Sequence, residues 1–171
     1  MTEDELEQLL EAARDHPLRF ELTVRTLAFT GMRADEFAHM TADWMDWQGE
    51  KVRVPAEEGD WTPKTSHAVR TIPLKDVDTL RLLRQYFKRN DEIGVTRQTI
   101  RNRVCTVAKD ADLDKKVTPH ILRHTYGTTI AHRGASPQYI RQTMGHADLS
   151  SANDYLQYAG TQLDSEANEL W

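Results

Sequence analysis

A seven-residue run with the sequence TPHILRH, at residues 118–124, holds two histidines and an arginine. Thr118 is a suitable N-cap and Pro119 suits the first position of a helix, so we expect a helix to begin here. His120, Arg123 and His124 would then share one face of that helix, because they are spaced i, i+3 and i+4. A planar guanidinium beside an imidazole is suited to holding a phosphate and moving protons around it.

Further residues that suit this chemistry lie before and after the run. Tyr155 follows Gly145-His146, and tyrosine is one of the side chains that can act as a nucleophile and form a covalent intermediate. Arg33 comes directly after a tight turn at the start of a predicted helix, and Lys64 lies in a turn between two predicted strands. The sequence therefore points to phosphoryl transfer with a nucleophile supplied by the protein.

The length of 171 residues is sufficient for one domain with a substantial core. The single Cys105 rules out an internal disulfide, no run is long and apolar enough to span a membrane, and we expect an intracellular protein.

Basic side chains outnumber acidic ones 16 to 7 between residues 61 and 145, whereas acidic ones lead 20 to 6 elsewhere. This pattern favours a DNA-facing surface on an acidic body, with a solvated mixed surface as the alternative.

Hydrophobic periodicity predicts mostly helices. Apolar residues recur at helical spacing over residues 2–13, 77–87 and 96–108, and an apolar run over residues 20–29 predicts a buried helix that ends at Gly31. Residues 51–54 and 69–74 alternate as strands do. We therefore expect a mainly α fold with a small antiparallel β-sheet, of the α+β class, in a single domain over residues 1–171. The helix that Thr96 caps carries three arginines outside its apolar stripe, which are candidate DNA contacts: Arg97, Arg101 and Arg103.

The order of these residues resembles the catalytic domain of the tyrosine recombinases, the phage-integrase and Xer-like family. The pattern of that family runs T-G-x-R-x-x-E, a hairpin lysine, H-x-L-R-H, G-H, and a tyrosine about nine residues later. Over roughly residues 2–160 the matching positions are Thr30, Gly31, Arg33, Glu36, Lys64, His120, Arg123, His124, Gly145, His146 and Tyr155. The lysine lacks the Gly-Lys context that many relatives have, so Lys51 near the first strand is the alternative.

The resemblance implies a tyrosine-recombinase catalytic-domain fold and a metal-independent, ATP-independent strand exchange without cofactors. Tyr155 would attack a scissile DNA phosphodiester, which leaves a 3′-phosphotyrosyl link and a free 5′-hydroxyl. The resemblance also implies that His120 is the general base and Lys64 the general acid. Arg33 and Arg123 would bind the non-bridging oxygens, and His146 would be a third donor to those oxygens. Glu36 would support Arg33, and His124 would be structural.

The same resemblance implies double-stranded DNA as the partner. We expect a homotetramer on DNA and a monomer when free, in the cytoplasm at the nucleoid of a prokaryotic or viral system. The N-terminal core-binding domain of the family is absent from the 171 residues. The tail over about 160–171, with Leu163, Leu170 and Trp171, would pack either on a neighbouring protomer or on its own chain.

Three other functions compete with a recombinase. A zinc hydrolase would use the i, i+4 spacing of His120 and His124, but Ile121 stands where the H-E-x-x-H motif needs its glutamate. A type IB topoisomerase shares the covalent chemistry without strand exchange. A catalytically silent DNA-binding regulator of the same fold is the non-enzymatic alternative, and detection of a covalent protein–DNA adduct separates it from an enzyme.

Overall fold

The computed structural model of the chain describes residues 1–63, 68–145, 155, 157 and 160. Its named elements are α1 Glu3–Arg14, α2 Leu18–Thr30, α3 Ala34–Ala38, β1 Met45–Asp46, β2 Lys51–Val54, β3 Arg70–Pro73, α4 Val77–Phe87, α5 Arg97–Asp110, α6 Pro119–His132 and α7 Pro137–Met144. Residues 155, 157 and 160 are also helical. The expected mainly α fold with a small antiparallel sheet is confirmed.

Side-chain caps explain where most of these helices begin. In each case an oxygen of the residue before the helix accepts a hydrogen bond from a backbone N–H of the first turn, which would otherwise lack a partner. The caps are Thr2 for α1, Asp76 for α4, Thr96 for α5, Thr118 for α6 and Ser136 for α7. At the start of α1, Thr2 and Glu5 form a capping box.

Helix α2 lies at the centre of the molecule. It packs against α1, α4, α5 and α6, so its side chains are buried on several sides. Leu22, Val24 and Leu27 are among its buried residues. A helix that is buried on most sides needs only a narrow polar stripe, which explains why the sequence from residue 18 to 30 shows only weak helical periodicity.

The sheet has the order β1-β2-β3 and is antiparallel throughout. Val52 of β2 lies opposite Ile72 of β3, and both side chains are fully buried. Helix α7 packs on β3 and on α6. Its end lies close to Arg70 at the start of β3 and to Arg123 in the first half of α6, both of which donate hydrogen bonds to it. None of the helices in the described part of the chain is long and apolar enough to cross a membrane.

Candidate active site

The turn after α2 brings two groups into the site. Gly31 ends α2 in the left-handed region, at φ 61°, and a Cβ atom there would lie 2.4 Å from Tyr126 Cδ1. Its carbonyl oxygen accepts a hydrogen bond from Arg123 Nη1 at 2.5 Å. Two residues later, Arg33 is the N-cap of α3. This turn therefore supplies one arginine and a carbonyl partner for another.

The Glu36 carboxylate lies in the first turn of α3 and is only 1% exposed. It accepts hydrogen bonds from the Arg33 backbone N–H at 2.7 Å and from Arg33 Nη1 at 3.1 Å. Burial raises the pKa of Glu36, but the hydrogen bonds and charge of Arg70, followed by the Arg33 backbone N–H, outweigh burial and lower it. A negative Glu36 thus holds Arg33 at the mouth of the site.

Arg70 of β3 is the second partner of Glu36, and sequence reasoning missed it. Its Nη1 and Nη2 atoms lie 2.8 Å and 2.7 Å from the two Glu36 oxygens, which is the bidentate geometry of a strong arginine–carboxylate pair. The same guanidinium donates to the Ala68 carbonyl at 2.8 Å. The alternation of β3 was the available signal, because it puts Arg70 on the buried face together with Ile72.

Arg123 projects from α6 and is buried, with 6% of its surface exposed. Besides the Gly31 carbonyl, it donates through Nη2 to the Met144 carbonyl. Burial first, and then the charge of Arg33, lowers the pKa of Arg123 to about 10. Arg123 therefore remains a cation at neutral pH.

Three arginines surround the C-terminal end of α7. The end of a helix exposes carbonyl groups without intrahelical partners and carries partial negative charge, so cations stabilise it. Each carbonyl oxygen from residue 143 to 145 accepts from a different guanidinium: Arg70 Nε to Thr143 at 2.7 Å, Arg123 Nη2 to Met144, and Arg33 Nη2 to Gly145 at 3.3 Å. We call Arg33, Arg70, Arg123 and Glu36 the arginine cluster.

A cleft of about 630 Å³ opens beside the arginine cluster. Four arginines line it, together with two carboxylates, one histidine and one tyrosine: Arg33, Arg97, Arg101, Arg123, Asp35, Glu36, His120 and Tyr155. The His120 side chain is exposed there. The structure thus brings residues from four separate segments of the sequence to one cationic cleft, with a hydroxyl and an imidazole at its wall.

Tyr155 is half-buried and packs on α6. Its ring centroid lies 5.1 Å from that of His124, and a Cβ atom at Gly127 would lie 2.6 Å from its Cε1 atom. Burial, followed by the charges of the chain's amino terminus and of His120, lowers the pKa of His124. The His124 ring thus packs on Tyr155, and its structural role stays a prediction. Gly127 is a second residue that the sequence patterns did not indicate.

The structure places only some of the predicted site residues in the cleft. Lys64 and His146 are outside the described residues. Arg103 faces α2, where its Nη1 atom lies 3.4 Å from Thr23 Oγ1, so it is not beside Arg97 and Arg101 in the cleft. Lys51, the alternative to Lys64, is exposed at the start of β2 and lies outside the cleft.

Trp61 precedes Lys64 by three residues in the sequence and lies at the cleft. It is 5% exposed, lines the cleft and packs against His39 and Trp44, with ring centroids 5.5 Å and 5.7 Å away. Ala68, which follows Lys64 by four residues, is held by Arg70 and also lines the cleft. Sequence reasoning gave no role to Trp61, because its partners come from a distant part of the chain.

With this geometry established, comparison with known proteins identifies the family. The family model described as "Phage integrase family" matches residues 1–161. The chain belongs to the phage integrase family. Similar members include tyrosine recombinase XerD of Vibrio cholerae, which is 29% identical over an alignment of 181 positions. The alignment covers 99% of this chain and 60% of that protein. Tyrosine recombinase XerC of Listeria monocytogenes is 27% identical over 157 residues, which cover 86% of this chain and 52% of that protein.

Solved structures of the family share the fold. The crystal structure of XerA recombinase matches with a TM-score of 0.79 and 27% identity, over 98% of this chain and 62% of that one. XerH site-specific recombinase bound to difH DNA in a post-cleavage complex matches with a TM-score of 0.76 and 20% identity, over 98% and 52% of the two chains. The chain thus spans about half to three fifths of the length of these family members.

Proposed function

We propose that this chain is the catalytic domain of a site-specific DNA recombinase that breaks and rejoins strands through a 3′-phosphotyrosyl intermediate. The observation that supports it most directly is the meeting of Tyr155, His120 and two family-motif arginines, Arg33 and Arg123, at one cleft. A hydroxyl nucleophile, an imidazole and two guanidiniums are the groups that attack on a phosphodiester needs.

In this proposal the first step is an in-line displacement at phosphorus. The Tyr155 oxygen forms a bond to phosphorus while the bond from phosphorus to the 5′-oxygen breaks. His120 accepts the phenolic proton, which lies on a group whose ordinary pKa is about 10 and which is therefore a poor nucleophile without help. Lys64 donates a proton to the departing 5′-oxygen. The phosphodiester energy stays in the phosphotyrosyl bond, so a 5′-hydroxyl can reverse the step without ATP.

The arginine cluster supplies charge neutralisation. Arg33 and Arg123 would donate to the non-bridging oxygens, where negative charge builds in the transition state, and His146 would be a third donor. Both arginines already donate to carbonyl oxygens, but a guanidinium has five N–H donors, so further ones remain for a phosphate. These cations take the role that a metal ion has in other phosphoryl-transfer sites.

Double-stranded DNA is the proposed substrate, and Arg97 with Arg101 would contact its phosphates. They stand i, i+4 on α5 and line the same cleft as Tyr155, whereas Arg103 points to another face. The XerH structure named above contains DNA, which supports this choice of partner. A homotetramer on DNA and activity at cytoplasmic DNA are part of the same proposal, and the tail that would join protomers lies outside the described residues.

A nicked suicide substrate tests this function. The DNA that flanks the chain's own coding sequence would be made as nicked duplexes, so that the short fragment bearing the 5′-hydroxyl diffuses away after cleavage and the adduct persists. We expect a covalent protein–DNA species in excess EDTA that Tyr155→Phe abolishes. DNA binding without any adduct would instead support the silent regulator, and an adduct that needs a metal ion would contradict the arginine-based mechanism.

A further inference from the structure

The Arg70 side chain donates hydrogen bonds to partners in three separate segments. Its side chain is 3% exposed, and its guanidinium joins three parts of the chain: Glu36 on α3, the Ala68 carbonyl and the Thr143 carbonyl on α7. Sequence separations of 34 and 73 residues lie between Arg70 and its partners on α3 and α7. One planar group thus joins three segments, of which α3 and the segment at Ala68 line the cleft.

We propose that Arg70 is a positioning residue for DNA cleavage and that it acts through Arg33. This proposal rests on the function proposed above. Arg70 fixes both oxygens of Glu36, and Glu36 in turn holds Arg33 by its backbone N–H and by Nη1. Arg70 also holds the α7 end, where the Gly145 carbonyl accepts from Arg33 Nη2. Both supports of the Arg33 guanidinium therefore depend on Arg70.

Lysine cannot replace Arg70 in this role. A lysine keeps the positive charge opposite Glu36 but offers a single ammonium, which cannot match two carboxylate oxygens and two carbonyls in fixed directions. Loss of that fork would let Glu36, and with it Arg33, move relative to the bound phosphate. A displacement of about 1 Å at a catalytic group can cost roughly 100-fold in rate.

A purely structural role is the competing explanation, and the chain provides a matched control for it. Arg25 on α2 is also nearly buried, with 5% of its side chain exposed, and it pairs with Asp78 at 2.8 Å and Asp76 at 3.5 Å. Arg25 is not among the residues that line the cleft. Arg70→Lys and Arg25→Lys should therefore perturb folding in similar ways while they differ in catalysis.

The experiment measures thermal unfolding, DNA affinity and single-turnover adduct formation for wild type, Arg70→Lys and Arg25→Lys. We expect both variants to fold and to bind DNA within about threefold of wild type, because neither changes a phosphate contact. Adduct formation should slow by roughly 100-fold in Arg70→Lys and by less than about threefold in Arg25→Lys, since Arg25 touches none of the cluster.

A neutral substrate shows whether the loss occurs through Arg33. A methylphosphonate at the scissile position removes the charge that Arg33 would neutralise, so a misplaced Arg33 should matter less there. We expect the deficit of Arg70→Lys to shrink on this substrate at least about tenfold, as that of Arg33→Ala should. An equal deficit on both substrates, or an Arg70→Lys rate within about threefold of wild type, would overturn the proposal.

If Arg70→Lys does not fold, the pair Glu36→Gln with Arg70→Gln replaces it, because that pair leaves no uncompensated charge in the interior. We expect a folded double variant with slow adduct formation, and a wild-type rate would overturn the proposal. Absence of any adduct from the wild-type protein would refute the proposed function itself, which is a separate outcome.

Discussion

Two buried arginine sites in this chain differ in the balance of charge around them. Arg25, between α2 and α4, faces two carboxylates, Asp76 and Asp78, and its guanidinium lies over the Phe29 ring at 5.6 Å. In the arginine cluster, three guanidiniums share the single carboxylate of Glu36. Asp78 also pairs with Arg81, so the bonded groups of the first site balance in charge, whereas those of the second carry a surplus of positive charge.

The first site is thus neutral without a ligand, whereas the second has positive charge that an anionic ligand would neutralise. Buried charges are normally paired within the protein, because desolvation of an unpaired ion is costly. The cluster is held partly by the carbonyl groups at the end of α7, which carry only partial negative charge. An anionic phosphodiester would supply the missing charge. The Arg25 site has no such deficit, so we regard it as purely structural.

The largest expected effect is on stability, from loss of the shared carboxylate. Glu36→Gln leaves Arg70 without its buried counter-charge, and breaking a buried pair costs about 3–5 kcal/mol in the free energy of unfolding. Asp78→Asn is the matched change at Arg25, where the carboxylate is 41% exposed and Asp76 remains. That change should cost less than about 1 kcal/mol. Urea denaturation of both variants measures the two values, and equal losses would contradict the comparison.

Lowering the pH should reduce the stability of the fold through the same carboxylate, that of Glu36. The pKa of Glu36 is lowered from its ordinary value of 4.5, so its contribution to stability is complete above pH 4.5 and is lost as the pH falls through the lower folded-state value. Wild type should therefore lose stability below pH 4.5 more steeply than Glu36→Gln does. Denaturation midpoints at a series of acid pH values measure this, and parallel curves for the two proteins would show that Glu36 is not held in its charged form.

Catalysis should depend on the cluster and not on the Arg25 site. Arg123→Lys loses the fork that reaches two carbonyls and, in the proposed mechanism, a phosphate oxygen. We expect adduct formation to slow by about 10² to 10³, with DNA affinity little changed. Rapid-quench measurement of the adduct gives the rate. An Arg123→Lys protein that is as active as Arg25→Lys would remove the distinction between the two sites.

A smaller effect is expected at the backbone that holds Arg123. Gly31→Ala places a side chain at φ 61° and within 2.4 Å of Tyr126, so we expect a loss of about 1–3 kcal/mol in stability. Gly134→Ala is a control for the backbone strain alone, since Gly134 has φ 81° and no atom of the described residues lies within 4 Å of the added carbon. Calorimetric unfolding measures both. If Gly134→Ala costs as much, contact with Tyr126 contributes nothing.

The smallest effect should come from single cations at the cleft mouth. Arg97→Ala or Arg101→Ala should weaken DNA binding a few-fold and reduce the slope of log affinity against log salt by about 1. Arg81 on α4 is the control from the Arg25 side of the molecule, because it is 64% exposed and pairs with Asp78. Arg81→Ala should leave the slope unchanged. Fluorescence anisotropy at several salt concentrations gives both slopes.

Much of the fold could be predicted because local signals agree with it. Alternation gave β2 and β3, and Thr118 with Pro119 marked the first turn of α6, where the structure has it. Motif spacing also gave five of the residues that line the cleft, because a family pattern records which segments meet: Arg33, Glu36, His120, Arg123 and Tyr155. Arg103 was placed with Arg97 and Arg101 although two residues along a helix turn it by about 200° from Arg101, away from that face.

Arg70 and Trp61 could not be assigned from the sequence because their roles lie in distant partners. Strand alternation puts Arg70 on the buried face, but no local pattern indicates which carboxylate pairs with it, because Glu36 lies 34 residues away. Trp61 likewise packs on His39 and Trp44 from an earlier segment. Such contacts follow from the packing of elements and not from the periodicity within them.

The identity of the nucleophile tests the central claim most directly. Tyr155 lines the cleft, whereas Tyr158, three residues later, lies outside the described residues. The adduct formed on a nicked substrate can be digested with nuclease and trypsin. Because no lysine or arginine follows Arg141, both tyrosines fall in one peptide that begins at Gln142. Fragment-ion mass spectrometry must therefore locate the nucleotide mass within that peptide.

We predict that the nucleotide mass is on Tyr155, that Tyr155→Phe binds DNA without forming an adduct, and that Tyr158→Phe still forms one. A nucleotide mass on Tyr158, or an adduct from Tyr155→Phe, would contradict the assignment of Tyr155 as the group that attacks the phosphodiester.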